Sequence, residues 1–203
     1  MNLTKLFETQ AALDEHIMQE HPELRGQNNL DWKLLALQVE LGECANEWRG
    51  FKKWSKDHEP RKEVVCHACK GEGGFREDAP PRDYFEPCMY CSATGIQAKP
   101  LLEEYVDCLH FILSIGLEIK VNLTSVYTSS PFIFGNDITK TFTHLLGDAS
   151  LINSGFEETE KEYSIYVNHF LYLGEILGFS WEEVEEAYFK KNKVNHERQE
   201  SGY

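Results

Sequence analysis

The stretch LLEEYVDCLHFILSIGLEIK at residues 101–120 constrains the fold more than any other part of the chain. It has the spacing of a helix that is apolar almost all the way round, and such a helix is covered by neighbours on every side. It also carries Glu104 and Asp107, three residues apart. Carboxylates in an apolar surface cost several kcal/mol unless they are paired or bind a cation. A buried central helix with two acids on it therefore implies a helical core and a charged site inside it.

The rest of the chain supplies the partners. Leu6, Leu13 and Ile17 recur at helical spacing over residues 3–20. From Asp31, an expected N-cap, the positions Leu34, Leu37, Leu41, Cys44, Trp48 and Phe51 step by three and four. After a loop with Ser129, Ser130 and Pro131, helices are expected near 137–152, over 158–177 ending at Gly178, and from Ser180. Ser180 and Glu183 have the spacing of a capping box. The expected fold is all-α, a helical bundle. Residues 57–99 interrupt it with Pro, Gly, Cys and charge and no lasting period. The expected organisation is a helical catalytic domain, 1–56 with 100–203, carrying an inserted module over 57–99.

That module contains CHACKGEGG and CMYCSATG, placing Cys66, Cys69, Cys88 and Cys91 in a C-x2-C-x18-C-x2-C pattern. Paired knuckles of this kind bind Zn²⁺ through four thiolates, and their glycines let the backbone turn its amides toward sulfur. CHACKGEGG also resembles the Cys-x-x-Cys-x-Gly-x-Gly units of J-domain chaperones, from which no activity is carried over. Four thiolates close the coordination shell, so the zinc is expected to be structural, holding together a segment too small for a core. Cys44 and Cys108 lie on apolar helix faces and read as core residues.

Charge narrows the partners. The chain has 20 Lys and Arg against 34 Asp and Glu, a net charge of −14. Residues 56–100 hold seven basic and eight acidic side chains. Neither balance suits nucleic acid, whose phosphates require a basic surface. The N-terminal residues are too acidic for an export signal, and no uncharged stretch is long enough to span a membrane. A soluble, cytoplasmic protein with no membrane or nucleic-acid partner is expected.

VELGECANE puts Glu40, Glu43 and Glu47 in a row beside the apolar stripe of the second helix. One reading is a solvated acidic face. The other joins them to Glu104 and Asp107 as a cage of hard oxygen ligands for Mg²⁺, which can polarise a phosphoryl group and activate water. Glu47 stays open as a further ligand, a base, or a partner of Arg49 or Lys52. The chain ends AYFKKNKVNHERQESGY, with Lys191, Asn192, Asn195, Arg198 and Gln199 along one side of the last helix. By itself this is a charged helix end; beside an acidic cage it offers phosphate donors and amides able to read a base.

ELGECANEWRGFKKW, EEYVDCLHFILSIGLE and KKNKVNHERQESGY, in that order, closely resemble the motifs of the dimeric all-α dUTP diphosphatases, within the helical nucleoside triphosphate pyrophosphohydrolases. The resemblance implies that Glu40, Glu43, Glu104 and Asp107 bind Mg²⁺, and that Lys191 and Arg198 hold phosphates. It further implies that Asn192 and Asn195 contact the nucleoside, Trp54 walls the uracil, Gln10 contacts the base and Tyr203 helps close the site. The implied reaction is hydrolysis of dUTP, and of dUDP, to dUMP by a homodimer, with a Glu deprotonating the attacking water. The long gap between the two acid pairs departs from the family pattern and puts the loop around Trp54 in question. Two alternatives stand beside this reading: the same chemistry on dCTP or a damaged nucleotide, and a zinc-dependent interaction module without enzymatic activity.

Overall fold

The computed structural model of the chain describes residues 3–77, 84–122, 135–152 and 159–202. The loop read at Ser129–Pro131 and the site residue Tyr203 lie outside these described residues. The chain divides into two compact units, Met1–Asn46 with Glu103–Tyr203, and Glu47–Leu102. The segment 57–99 lies inside the second.

The first unit is helical: α1 (Leu3–Glu20), α2 (Leu30–Trp48), α3 (Pro100–Glu118), α4 (Ile138–Asp148), α5 (Thr159–Leu177) and α6 (Trp181–Glu200), with the ends of α2 and α3 running into the second unit. The fold is all-α, and the run at 101–120 forms α3 as its composition requires. Leu101, Leu102, Tyr105, Val106, Cys108, Leu109, Ile112, Leu113 and Ile115 are all buried. α1 packs on α6, and α4 on α5.

Helix ends follow local chemistry. Ser180 caps α6 with the full capping box: its Oγ accepts from the Glu183 amide at 3.2 Å and its own amide donates to Glu183 Oε2 at 3.0 Å. Asp137 caps α4 by accepting from the Lys140 amide. α2 starts two residues earlier than its acid suggests. The Asn28 side chain accepts from the Leu30 amide, so Asp31 sits in the first turn, where its charge still favours the helix N-terminus. α2 also stops at Trp48 and not at Phe51, because Arg49 takes a left-handed φ of 62° that cannot continue a helix.

α3 and α5 are joined by a reciprocal device. Tyr163 of α5 donates its hydroxyl to the Ile112 carbonyl of α3 at 2.8 Å and lies over Gly116, where a Cβ would come within 2.4 Å of the phenol oxygen. Tyr105 of α3 does the same to α5, donating to the Phe170 carbonyl at 3.1 Å and lying over Gly174. Each glycine is four residues beyond the carbonyl that accepts, so the missing side chain is what admits the ring.

Among its described residues the second unit has four short strands, β1 (Val64–Val65), β2 (Gly74–Glu77), β3 (Tyr84–Pro87) and β4 (Ile96–Ala98), paired antiparallel as β1–β4 and β2–β3. At two to four residues they are too short to display an alternating pattern. Its buried cluster consists of the four cysteines with Ala68 against them. The knuckles stand back to back. The Cys66 amide donates to the Gly95 carbonyl and the Cys88 amide to the Gly73 carbonyl, both at 2.9 Å. Gly73 and Gly95 have φ of 74° and 77°, and a Cβ on either would strike backbone within 2.4 Å, so glycine is required at both.

Candidate active site

Three carboxylates meet where α2 and α3 approach. Glu40 and Glu43, one turn apart on α2, and Glu104, near the start of α3, present oxygens that all lie within 4.8 Å of one another. They reach this position because Leu37, Leu41 and Cys44 bury the adjoining face of α2, while the apolar remainder of α3 is held in the core. Burial, then the charge of Asp107, then that of neighbouring glutamates raise both Glu40 and Glu104 to about 7. Crowding of acids without a matching number of cations is the electrostatic signature of a cation site.

Asp107, one turn beyond Glu104, is ion-paired through Oδ2 with Lys191 of α6. Burial pushes its carboxyl up, and the Lys191 hydrogen bond and charge oppose this. Glu40 and Asp107 also line a cleft of about 400 Å³ within the helical unit, together with Gln10, Lys191, Asn195, Arg198 and Gln199. The size falls in the range of roughly 300–1,000 Å³ usual for small-molecule sites. Glu40 of the carboxylate cluster and the C-terminal cations thus line one concavity.

The remaining site residues read from sequence are placed as follows. Gln10 is buried and fully engaged: its Oε1 accepts from the Tyr188 hydroxyl at 2.9 Å and pairs with His110 Nδ1 at 2.8 Å, and its Nε2 donates to Asp14 at 2.7 Å. Asn192 is buried, with an Nδ2 that finds no hydrogen-bond partner among the described residues. Glu47 and Trp54 belong to the second unit. There Glu47 accepts from Arg61 at 3.3 Å, not from Arg49, which is turned to Asp57. Trp54 is 78% exposed and packs edge-on against Phe51.

Sequence reading missed a second layer of the cleft. Lys33 is 3% exposed and bridges Asp14 of α1 at 3.6 Å and Glu118 of α3 at 2.8 Å. Ser114 donates to Asp14 at 2.6 Å, and Trp32 supplies the lining with an aromatic ring. His110 stacks on Tyr188 with ring centroids 4.2 Å apart, and burial drives it down to about 3, so it is neutral. The available signal was Gln10 and Asp14 at i, i+4 on α1, a polar pair on one helix face.

The dUTPase family matches residues 2–68 and 90–203, nearly the whole chain apart from the middle of the cysteine segment. The chain belongs to the dUTPase family. It is accordingly an enzyme, a dUTP diphosphatase. No curated protein and no solved structure matches it. The cysteine segment stands at the break in the family match, and its four sulfurs form a tetrad: Cys66 and Cys88 are 3.8 Å apart, Cys69 and Cys91 3.6 Å. Backbone amides, led by that of Cys69, hold the Cys66 thiol below its usual range, which suits a thiolate ligand. No described helix is long and apolar enough to cross a membrane.

Proposed function

We propose that this dUTPase is Mg²⁺-dependent, acts on dUTP and dUDP to give dUMP, and carries a structural Zn²⁺ in the cysteine unit. The observation that supports the reading best is the convergence of Glu40, Glu43 and Glu104 beside a cleft that Lys191 and Arg198 also line. Those three glutamates with Asp107 are the residues that would hold Mg²⁺, an oxygen-ligand set that fits a hard cation. When bound, Mg²⁺ supplies positive charge to the phosphate oxygens and makes water more acidic.

The protein's own contribution is positioning and proton transfer. Lys191 and Arg198 donate to phosphate oxygens and fix the chain of phosphates. Water is added across the link between the α and β phosphates, giving dUMP and pyrophosphate, or phosphate from dUDP. Its proton goes to one of the glutamates of the site, acting as general base. Asn192 and Asn195 are assigned to the nucleoside, with Tyr203, Trp54 and Gln10 as the further contacts implied by family resemblance.

The working form is proposed to be a homodimer. Trp32, Leu35 and Val39 are 40%, 63% and 51% exposed on α2, an apolar row that a second copy of the chain would cover. A nucleotide panel assayed with and without Mg²⁺ tests the central claim: turnover is expected for dUTP and dUDP and is expected to stop without the ion. Equal rates on dCTP would overturn the substrate assignment.

A further inference from the structure

Away from the cleft, α4 and α5 bring together a second set of metal-binding side chains. His144 and Asp148 stand one turn apart on α4, with His144 Nε2 2.9 Å from Asp148 Oδ2. His169 of α5 faces them: its imidazole is 5.2 Å from that of His144, tilted by 52°, and the residue is 5% exposed. One ligand atom from each of the three lies within 4.8 Å of the others.

The pair on α4 by itself is an ordinary i, i+4 helix contact. His169 changes its meaning, because a second imidazole packed against the first is unfavourable if both are protonated. Burial and then the His144 charge lower His169 from its ordinary value. For tetrahedral bonds of about 2.0–2.2 Å, neighbouring ligand atoms on one ion stand about 3.3–3.6 Å apart, so the His144–Asp148 pair, at 2.9 Å, has to open only slightly to admit an ion. Tyr166, one turn before His169 on α5, adds an independent observation. Its hydroxyl is buried, has no hydrogen-bond partner among the described residues, and lies in the field of Asp148. A buried hydroxyl without a protein partner is ordinarily satisfied by an ordered water.

We infer that His144, Asp148 and His169 form a transition-metal site, of the Zn²⁺ class, that clasps α4 to α5 and is separate from both the carboxylate cage and the cysteine tetrad. Two imidazoles and one carboxylate select a borderline cation over Mg²⁺. Three protein ligands leave room for water or a small anion in a further position. Its role is to tie together two helices whose connection, residues 149–158, contains only a single 3-10 turn among its described residues.

The test is zinc content of the full chain, stripped with chelator and reloaded with Zn²⁺ under excess Mg²⁺, in wild type, His144→Ala, Asp148→Asn, Glu104→Gln and the Cys66→Ser/Cys88→Ser pair. His144 and Asp148 are partly exposed, so their variants are expected to fold, with circular dichroism as the check. Loss of about one equivalent relative to wild type is expected in His144→Ala and Asp148→Asn. The cysteine variant is expected to retain about one, and Zn²⁺ is expected to raise the Tm of wild type more than that of His144→Ala. Co²⁺ loaded into the cysteine variant should lack thiolate charge-transfer absorption yet still show bound-metal bands. Equal zinc in wild type and both α4 variants would overturn the site, as would loss tracking Glu104→Gln. The comparison does not depend on whether the cysteine tetrad binds zinc.

Discussion

The Lys191 ammonium on α6 is paired with the Asp107 carboxylate on α3, inside the cleft that also holds Arg198. This one contact joins the acidic and the basic halves of the site. A cation entering among the carboxylates and a phosphate reaching for Lys191 each draw on a member of that pair, so metal and substrate binding are expected to reinforce one another. Lys191→Met should lower kcat/KM for dUTP by roughly 100-fold, the usual cost of removing one donor aimed at developing charge. Steady-state kinetics would decide it; an unchanged kcat/KM would remove Lys191 from the phosphate site.

Glu104→Gln separates binding from folding. Burial, and then the like charges around it, raise Glu104 to about 7, so the neutral amide escapes both penalties. The metal-free variant is expected to be more stable than wild type at neutral pH and above, by about 1 kcal/mol after solvent screening. It should also lose the rise in Tm that Mg²⁺ gives wild type, along with activity. Thermal melts in chelator and in Mg²⁺ give both numbers.

His110 predicts an acid weakness. Its folded pKa of about 3 lies below its ordinary value of 6.5. Between these values the unfolded chain binds the proton and the folded one does not, so the stabilisation is complete above about 6.5 and is lost as pH falls toward 3. The slope approaches about 1.4 kcal/mol per pH unit within that window. Urea unfolding at a series of pH values should show it in wild type and a flatter profile in His110→Phe.

The apolar row on α2 makes a prediction about assembly. Leu35→Glu with Val39→Lys places charge on two positions that are more than half exposed in the isolated chain, so folding of the monomer should be nearly unaffected. Light scattering is expected to report a dimer for wild type and a monomer for the double variant. A dimer in both would exclude this face.

Zinc removal should act locally. The second unit has the four cysteines as its buried cluster, so chelation is expected to abolish amide protection over residues 64–77 and 84–98 and spare α1, α2, α3 and α6. Hydrogen exchange measured before and after chelation in the His144→Ala background tests this, and loss of protection throughout α1 and α3 would contradict it.

The helices were legible because α3 is apolar almost all the way round and because caps such as Ser180 are written in neighbouring residues. The strands of the second unit were not, since two to four residues carry no period and their pairing is dictated by the cysteines. In the cleft, Glu40, Glu43 and Glu104 could be suspected from spacing on single helices. Lys33 could not. Its importance comes from Asp14 and Glu118, which are remote from it in sequence and on different helices, and an isolated lysine in an amphipathic helix looks like surface. Trp32 was hidden for the same reason: half of what makes it a cleft residue is supplied by other elements.

The tyrosine–glycine contacts between α3 and α5 have a bearing on motion. Eleven residues separate Tyr105 from Gly116 on one helix and Tyr163 from Gly174 on the other. Equal spans in antiparallel helices act as two pins through one plate. Sliding either helix along the other by even one residue would drive both rings into side chains at once and break both hydroxyl bonds. Glu104 directly precedes the first pin, so its height along the bundle is fixed by packing on the opposite side of α3 from the cleft. A shift of α3 along its axis is thereby barred, and Glu104 and Asp107 stand at a set level in the bundle.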